Sequence, residues 1–283
     1  MSEYARGIFL KSFCVRRMTV AAILGFSIVA GGPVQACGID TDCLLGDRTY
    51  RIHLPAGRDV GTPIGAIVYM HGYRGTAAGI MRNTALRKLA DKLGVALVAP
   101  KSSRGDWNLP NAPSGGDGSA VTFFDAFIPV LRERHGIDVE RLMATGFSAG
   151  GMMVWNLACY RPNLFAGFAP IAGTFWAPVP PRCPHTPPHL VHIHGESDKV
   201  VPLTGRAIGP TRQGNVFRAL AMVERQASYK PTGRVTSGRL SCERKRSVHG
   251  QLLEFCRHPG GHSIRTGWVA YAWQRLKDVG AIR

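Results

Sequence analysis

Short apolar runs alternate with segments of helical periodicity along the chain from residue 50 onward. The runs predict strands over residues 50–54, 66–70, 95–99, 142–145, 165–171, 190–194 and 251–256. Apolar positions at helical spacing predict helices near residues 79–93, 121–135, 150–160, 215–226 and 267–279. Because strands that alternate with helices form a parallel sheet covered on both faces, the pattern predicts an α/β fold with a mostly parallel, doubly wound sheet.

Three segments rich in glycine, proline and polar residues predict long loops, at residues 102–118, 174–188 and 230–238. Long loops on a compact domain often carry the binding surface. A composition of 45% hydrophobic and 19% charged residues is that of a globular protein and excludes a disordered or collagen-like chain. No repeat or linker divides residues 37–283, so we expect a single domain there.

The first 36 residues have the parts of a secretory signal peptide. Four basic residues precede an apolar stretch over residues 18–30, which ends at Gly31-Gly-Pro33 and is followed by small residues up to Ala36. A membrane anchor is the alternative, but the stretch is short for a span. We therefore predict export to the periplasm or the extracellular space, with cleavage after Ala36. A lipoprotein anchored at Cys37 is less well supported, since Val34-Gln-Ala-Cys37 lacks the usual leucine of a lipobox.

Cysteine usage agrees with export. The mature chain would retain an even number of cysteines, which in an exported protein suggests three disulfides. Closeness in sequence favours the pairs Cys37–Cys43 and Cys242–Cys256, and this leaves Cys159–Cys183. Lipidation of Cys37 would leave Cys43 without a partner. No Cys-x-x-Cys spacing occurs, which argues against a zinc site.

The chain is strongly basic, with a formal net charge of +17. Removal of residues 1–36 leaves 31 basic and 17 acidic residues, a net charge of +14. Such a protein is expected to adhere to anionic surfaces. The densest basic cluster, Arg239 with residues 243–246, has no interleaved aromatic residues on which bases could stack, so we predict a solvated basic surface and no nucleic-acid partner.

A serine on a sharp turn is the strongest chemical signal. The predicted strand 142–145 leads into Gly146-Phe-Ser-Ala-Gly150, and a helical pattern follows at once. This strand, turn and helix form the context of a nucleophile elbow, in which Ser148 is exposed at the end of the sheet. The flanking glycines remove Cβ atoms that would clash at such a turn. We therefore predict that Ser148 is the nucleophile.

The serine needs a histidine as its base and a carboxylate to orient that histidine. Along a chain of this fold, the carboxylate follows the serine and the histidine comes last. Asp198 stands just beyond the predicted strand 190–194, and His262 stands on a glycine-rich turn after the last strand. Glu196 competes for the acid and lies closer to the strand end. His258 competes for the base, with a surface loop position as its other interpretation. We predict a triad of Ser148, Asp198 and His262.

Two backbone N–H groups must stabilise the oxyanion of an acyl transfer. Ala149, which follows the nucleophile, would supply one of them. The other is predicted at Tyr73, in the turn His71-Gly-Tyr-Arg-Gly75 after a strand, where His71 is interpreted as structural. Trp107 and Trp176 lie in the long loops, and each could form an aromatic wall for the substrate or pack against its own loop.

The histidines at positions 189, 192 and 194 raise the question of a metal site. His192 and His194 simply alternate along a predicted strand, and no third ligand or carboxylate cluster accompanies them. We therefore predict no metal and no cofactor.

Five motifs together resemble the poly(3-hydroxybutyrate) depolymerase and feruloyl esterase group of secreted α/β-hydrolases, related to carbohydrate esterase family 1. They are Tyr50-Arg-Ile-His-Leu-Pro55, His71-Gly72, Gly146-Phe-Ser-Ala-Gly-Gly-Met-Met153, His194-Gly-Glu-Ser-Asp-Lys-Val-Val-Pro202 and Gly260-Gly-His262. The resemblance implies the α/β-hydrolase fold over nearly the whole mature chain. It also places the family's triad on Ser148, Asp198 and His262.

An ester substrate follows from this resemblance. We expect a secreted serine ester hydrolase that acts through an acyl-enzyme on hydroxyalkanoate esters of the polyhydroxybutyrate type. A feruloyl or acetylxylan esterase acting on plant cell-wall esters is the first alternative. A basic cell-surface binding protein that kept the esterase fold without turnover is the second, since a fold does not establish a function.

Overall fold

The computed structural model describes residues 37–59, 61–103 and 105–283. The predicted signal peptide, residues 1–36, lies outside the described residues, and its removal stays a prediction. Twelve strands are formed: β1 Cys43–Leu45, β2 Arg48–His53, β3 Ile64–Met70, β4 Ala96–Pro100, β5 Ile137–Phe147, β6 Gly167–Ile171, β7 Leu190–Gly195, β8 Ala207–Ile208, β9 Thr211–Arg212, β10 Lys230–Ser237, β11 Leu240–Arg246 and β12 Leu252–His258.

Ten of these strands form one sheet, in the order β1-β2-β4-β3-β5-β6-β7-β12-β11-β10. The strands from β4 to β12 in this order pair in parallel, whereas the pairs at both edges are antiparallel. The central strands are continuous apolar runs, and β4 and β6 are buried at every position. Strands covered on both faces require such runs.

Six α-helices cover the sheet: α1 Ala77–Arg82, α2 Thr84–Leu93, α3 Ser119–His135, α4 Ala149–Tyr160, α5 Val216–Gln226 and α6 Thr266–Asp278. Two hydrophobic cores result. One contains the buried residues of α3, α4 and α5, and the other contains those of α1, α2 and α6. This arrangement confirms the predicted doubly wound α/β-hydrolase fold.

Three local predictions were wrong. The helix predicted over residues 79–93 is two helices, because Asn83 ends α1 and caps α2 by accepting hydrogen bonds from Ala85 N and Leu86 N. The loop predicted at 230–238 is instead strand β10, which pairs with β11 across a bulge between Pro231 and Gly233. The last strand of the central sheet extends to His258, two residues beyond the predicted end.

The three expected disulfides are formed. Cys37 is bonded to Cys43, Cys159 to Cys183 and Cys242 to Cys256. The second of them joins the last turn of α4 to the loop that precedes β7. In the part of the chain that the structure describes, no helix has the length and apolar character needed to cross a membrane.

Candidate active site

Ser148 lies at the turn between β5 and α4, in a backbone conformation that few residues adopt. Its φ and ψ are 58° and −121°, and its N–H donates to Ile171 O at 3.0 Å. A Cβ at Gly146 would lie 2.6 Å from Gly150 C, and one at Gly150 would lie 2.0 Å from Met70 O. The turn can therefore close only with glycine on both sides of the serine.

Asp198 is the buried carboxylate of the site. Its Oδ1 accepts hydrogen bonds from the backbone N–H groups of Val200 and Val201, each at 2.8 Å. Its Oδ2 accepts from Nδ1 of His262 at 2.7 Å. Burial alone would raise the pKa of Asp198, but the hydrogen bonds from His194, His262 and Val201 outweigh it and hold that pKa far below its usual value. The carboxylate therefore stays ionised.

His262 is fixed by Asp198 on one side and by an aromatic ring on the other. Donation from Nδ1 to Asp198 leaves Nε2 as the nitrogen that could take a proton. The ring centroid of His262 lies 4.5 Å from that of Phe147, the residue before Ser148. The loop that carries Asp198 is also joined to the loop that carries His262, since Ser197 N–H donates to Gly260 O at 3.1 Å.

The two competing residues occupy different environments. Glu196 is half exposed, and its carboxylate lies 3.3 Å from the Arg257 guanidinium instead of facing His262. His258 is buried at the end of β12, so its interpretation as a surface loop residue was wrong. Its ring packs against Trp268 at 4.3 Å, and its Nδ1 accepts from Gly260 N–H. Burial, together with the nearby His194, lowers the pKa of His258.

Two histidines of β7 form a chain of contacts that leads to Asp198. Nε2 of His194 donates to Val201 O at 2.8 Å and lies 3.5 Å from Asp198 Oδ2. Nδ1 of His194 therefore accepts from Nε2 of His192, at 3.0 Å. Burial lowers the pKa of His192 well below its usual value, and the neighbouring His194 adds to this. The alternation of these residues in the sequence gave no sign of this chain of contacts.

The same histidines do not form a three-residue cluster with His189. Nδ1 of His189 accepts from the Leu252 backbone N–H at 3.1 Å, at the start of β12. His192 and His194 are engaged with each other and with the loop after β7.

The two backbone groups expected at the oxyanion belong to Tyr73 and Ala149, which line the same cavity as Ser148. Ala149 is the first residue of α4, so its N–H has no acceptor within the helix. Gly72 is close to the elbow, because a Cβ placed on it would lie 3.7 Å from Ser148 Cβ. Among the described residues, the Tyr73 N–H has no hydrogen-bond acceptor. Both N–H groups are therefore without an acceptor among the described residues.

A cavity of about 550 Å³ opens at this point and is lined by Tyr73, Ser148, Ala149 and Trp176. Its other walls combine apolar side chains with a few polar ones, which is typical of a small-molecule site. Those residues are Asp106, Pro113, Ser114, Met152, Val200, Val201, Arg206, Ile208 and Gln213. Trp176, predicted as an aromatic wall, is thus one of the residues that line this cavity.

Trp107 does not line this cavity. The residue is 1% exposed, and its indole N–H donates to His71 O at 2.8 Å. His71 is buried beside it and accepts from Ser102 N–H, as expected of a structural histidine. The interpretation of Trp107 as a substrate wall was therefore wrong, because a buried indole needs an acceptor and finds one in the strand end that precedes Tyr73.

Sequence analysis missed most of the outer wall of the cavity. Ile208 and Gln213 come from the short hairpin of β8 and β9, which contains too few apolar residues for a strand pattern. The available signal was Gly209-Pro210, a dipeptide typical of turns, between the two strands. Met152 is a buried core residue, and it also lines the cavity from the first turn of α4.

Comparison with known proteins agrees with this geometry. Residues 48–178 match the sequence family described as Esterase PHB depolymerase. A protein named probable feruloyl esterase C from Aspergillus flavus is 27% identical over 69% of this chain and 73% of its own length. Poly(3-hydroxyalkanoate) depolymerase C from Paucimonas lemoignei is 30% identical over 43% of this chain and 30% of its own. A further relative, from Nocardia uniformis, is 31% identical over 58% of this chain and 48% of its own.

Solved structures agree on the fold. Acetyl xylan esterase from Aspergillus awamori superposes with a TM-score of 0.61 at 16% identity, covering 81% of this chain and 94% of that protein. At that identity the likeness concerns the fold alone. The resemblance expected from the motifs is thus confirmed, since residues 48–178 match the Esterase PHB depolymerase family and the fold is that of the α/β-hydrolases.

Proposed function

We propose that the protein is a serine carboxylic ester hydrolase that works through an acyl-enzyme. The observation that carries the proposal is the 2.7 Å hydrogen bond from His262 to a buried Asp198, with the His262 ring packed against Phe147, the residue before Ser148 in the elbow. The backbone N–H groups of Tyr73 and Ala149, which line the same cavity, have no acceptor among the described residues. The proposal is supported by the order of Ser148, Asp198 and His262 along the chain, which is the order that serine hydrolases of this fold use.

The proposed reaction has two halves. Ser148 Oγ attacks the ester carbonyl carbon while His262 Nε2 takes the hydroxyl proton, and the N–H groups of Tyr73 and Ala149 stabilise the oxyanion. The carbonyl re-forms, the bond to the alcohol oxygen breaks, and His262 gives its proton to that oxygen. Water then attacks the acyl-serine by the same path and releases the acid and Ser148. Asp198 keeps the imidazole oriented and stabilises its charged form.

Two classes of ester are candidates for the acyl group. Hydroxyalkanoate esters are supported by the matched family and by the depolymerase relative. Feruloyl or acetylxylan esters are supported by the feruloyl esterase relative and by the ring of Trp176 in the cavity wall, which could pack on a phenolic group. The three disulfides support an oxidising, exported location for either activity.

The test compares the protein with its Ser148→Ala variant on hydroxybutyrate oligomers, methyl ferulate, acetylated xylan and short p-nitrophenyl esters. We expect hydrolysis of at least one ester and a loss of about 10⁴-fold or more in the variant, with an unchanged melting temperature. The ester hydrolysed fastest identifies the substrate class. Equal rates for the two proteins would overturn Ser148 as the nucleophile, and no hydrolysis by either would favour a binding protein.

A further inference from the structure

A second cavity, about 770 Å³ in volume, lies beside the one that contains Ser148. Gln213 lines both of them, so the two cavities share this residue in their walls. One wall of the second cavity, here called the arginine groove, is the proline-rich segment 177–181. The other is the face of α5 that presents Phe217, Arg218 and Arg225.

The groove is strongly basic. Arg212, Arg218 and Arg225 line it, all three are exposed, and no acidic residue appears among its lining residues. None of the three guanidinium groups forms an ion pair within the described chain. Glu224, the acidic neighbour on α5, is engaged by Lys245. The groove therefore presents positive charge that no part of the described protein neutralises.

The remaining lining residues suit a chain with apolar and hydroxyl-bearing faces. Ala221 and Met222 form an apolar floor between the two arginines of α5, which are two helical turns apart. Phe217 is an exposed ring, 46% accessible, against which a sugar face could pack. Gln213, at the junction of the cavities, is 5% exposed, and its carboxamide oxygen accepts no hydrogen bond from a described residue. A hydroxyl-bearing ligand could supply the missing donor.

We propose that the arginine groove binds the acidic polysaccharide chain that bears the ester, with uronate carboxylates on the arginines. The proposal rests on the proposed function and selects its cell-wall branch. A hydroxyalkanoate polyester carries a carboxylate only at its end and could engage only one of the separated arginines. A chain with repeated uronates could engage several of them, through the charge-assisted hydrogen bonds that guanidinium groups form with carboxylates.

The test measures binding of an oligogalacturonate by calorimetry at low salt, with a neutral xylo-oligosaccharide of the same length for comparison. We expect the acidic oligomer to bind, the neutral one to bind at least tenfold more weakly, and the acidic affinity to fall as salt is added. The Arg218→Gln/Arg225→Gln variant should lose about tenfold in affinity, in proportion to two exposed ion pairs.

The matched control is Arg82→Gln/Arg132→Gln, which removes the same charge from exposed helix positions outside the groove. It should bind the acidic oligomer within twofold of the parent protein, and all proteins should hydrolyse p-nitrophenyl acetate equally. Equal weakening in both double variants would reduce the effect to net charge and overturn the groove. Equally tight binding of the neutral and the acidic oligomer would overturn the proposal that the groove selects an acidic polysaccharide. Because binding is measured without turnover, a failure of the ester hydrolase proposal would be seen separately, in the p-nitrophenyl acetate rates.

Discussion

At the scale of single residues, Asp198 and Glu196 differ in the groups that contact their carboxylates. Asp198 accepts from two backbone N–H groups and from His262, whereas Glu196 contacts Arg257 at the surface. Asp198→Asn should therefore lower kcat by about 10³- to 10⁴-fold, because the imidazole would lose both its orientation and its charge partner. Glu196→Gln should leave kcat within about twofold.

Both variants are compared with the parent protein by initial rates on the ester that the parent hydrolyses fastest. Far-ultraviolet circular dichroism checks that the variants are folded. A large loss in Glu196→Gln together with a small one in Asp198→Asn would reassign the acid to Glu196.

The three proposed triad residues stand out in the sequence because each sits at a position that the fold itself marks. Ser148 is bracketed by glycines, and Asp198 and His262 each follow a strand whose apolar run is plain. Trp107 could not be placed in this way. A tryptophan in a long loop has no periodic neighbours, and only the tertiary contact with His71 O shows that its indole is buried.

At the scale of elements, the Cys159–Cys183 disulfide ties the helix behind Ser148 to the loop that carries Trp176 and one wall of the groove. The two cysteines are 24 residues apart, and chain-entropy arguments give such a crosslink about 3 kcal/mol of stability. A Cys159→Ala/Cys183→Ala variant should lose roughly that much, measured by urea denaturation.

The Cys37–Cys43 disulfide provides the comparison, because it closes a loop with a separation of only 6 residues. The Cys37→Ala/Cys43→Ala variant should lose about 1 kcal/mol less than the other double variant. A larger loss from the shorter loop would show that local packing, and not loop closure, sets the contribution of these crosslinks.

Elements were predictable from sequence where burial imposed a pattern. The parallel strands are buried on both faces and stand out as apolar runs, whereas β10 is exposed at seven of its eight positions and contains Pro231 and Gly233. A strand at the edge of a sheet can be polar on both faces, so it is hard to tell from a loop. The break between α1 and α2 also leaves no mark in the pattern of apolar residues. It is made by a polar side chain, since Asn83 ends α1 and caps α2.

At the scale of the whole molecule, buried histidines make stability depend on pH. Burial lowers the pKa of His71, His192 and His258, so the folded protein keeps them neutral. The unfolded chain takes up protons on these residues below about pH 6.5, and the free energy of unfolding should fall there by up to about 1.4 kcal/mol per pH unit for each histidine. Above that pH these three histidines should add no further dependence. Asp198, whose pKa is lowered, adds a further loss below about pH 4.

Urea denaturation across a pH series measures this dependence. His192→Gln should reduce the slope between about pH 6.5 and 5, because one buried neutral imidazole is removed. His249→Gln, at an exposed position, should leave it unchanged. A free energy of unfolding that increases as the pH falls would be inconsistent with burial as the cause. So would an equal change of the slope in both variants.

The central claim is that Ser148 is an activated nucleophile, and covalent labelling tests it most directly. The folded protein should react with a fluorophosphonate probe at a single residue, and peptide mass mapping should place the adduct on Ser148. His262→Ala should abolish the labelling, because the serine would lose its base. Labelling of the folded protein at another residue, or none at all, would contradict the account.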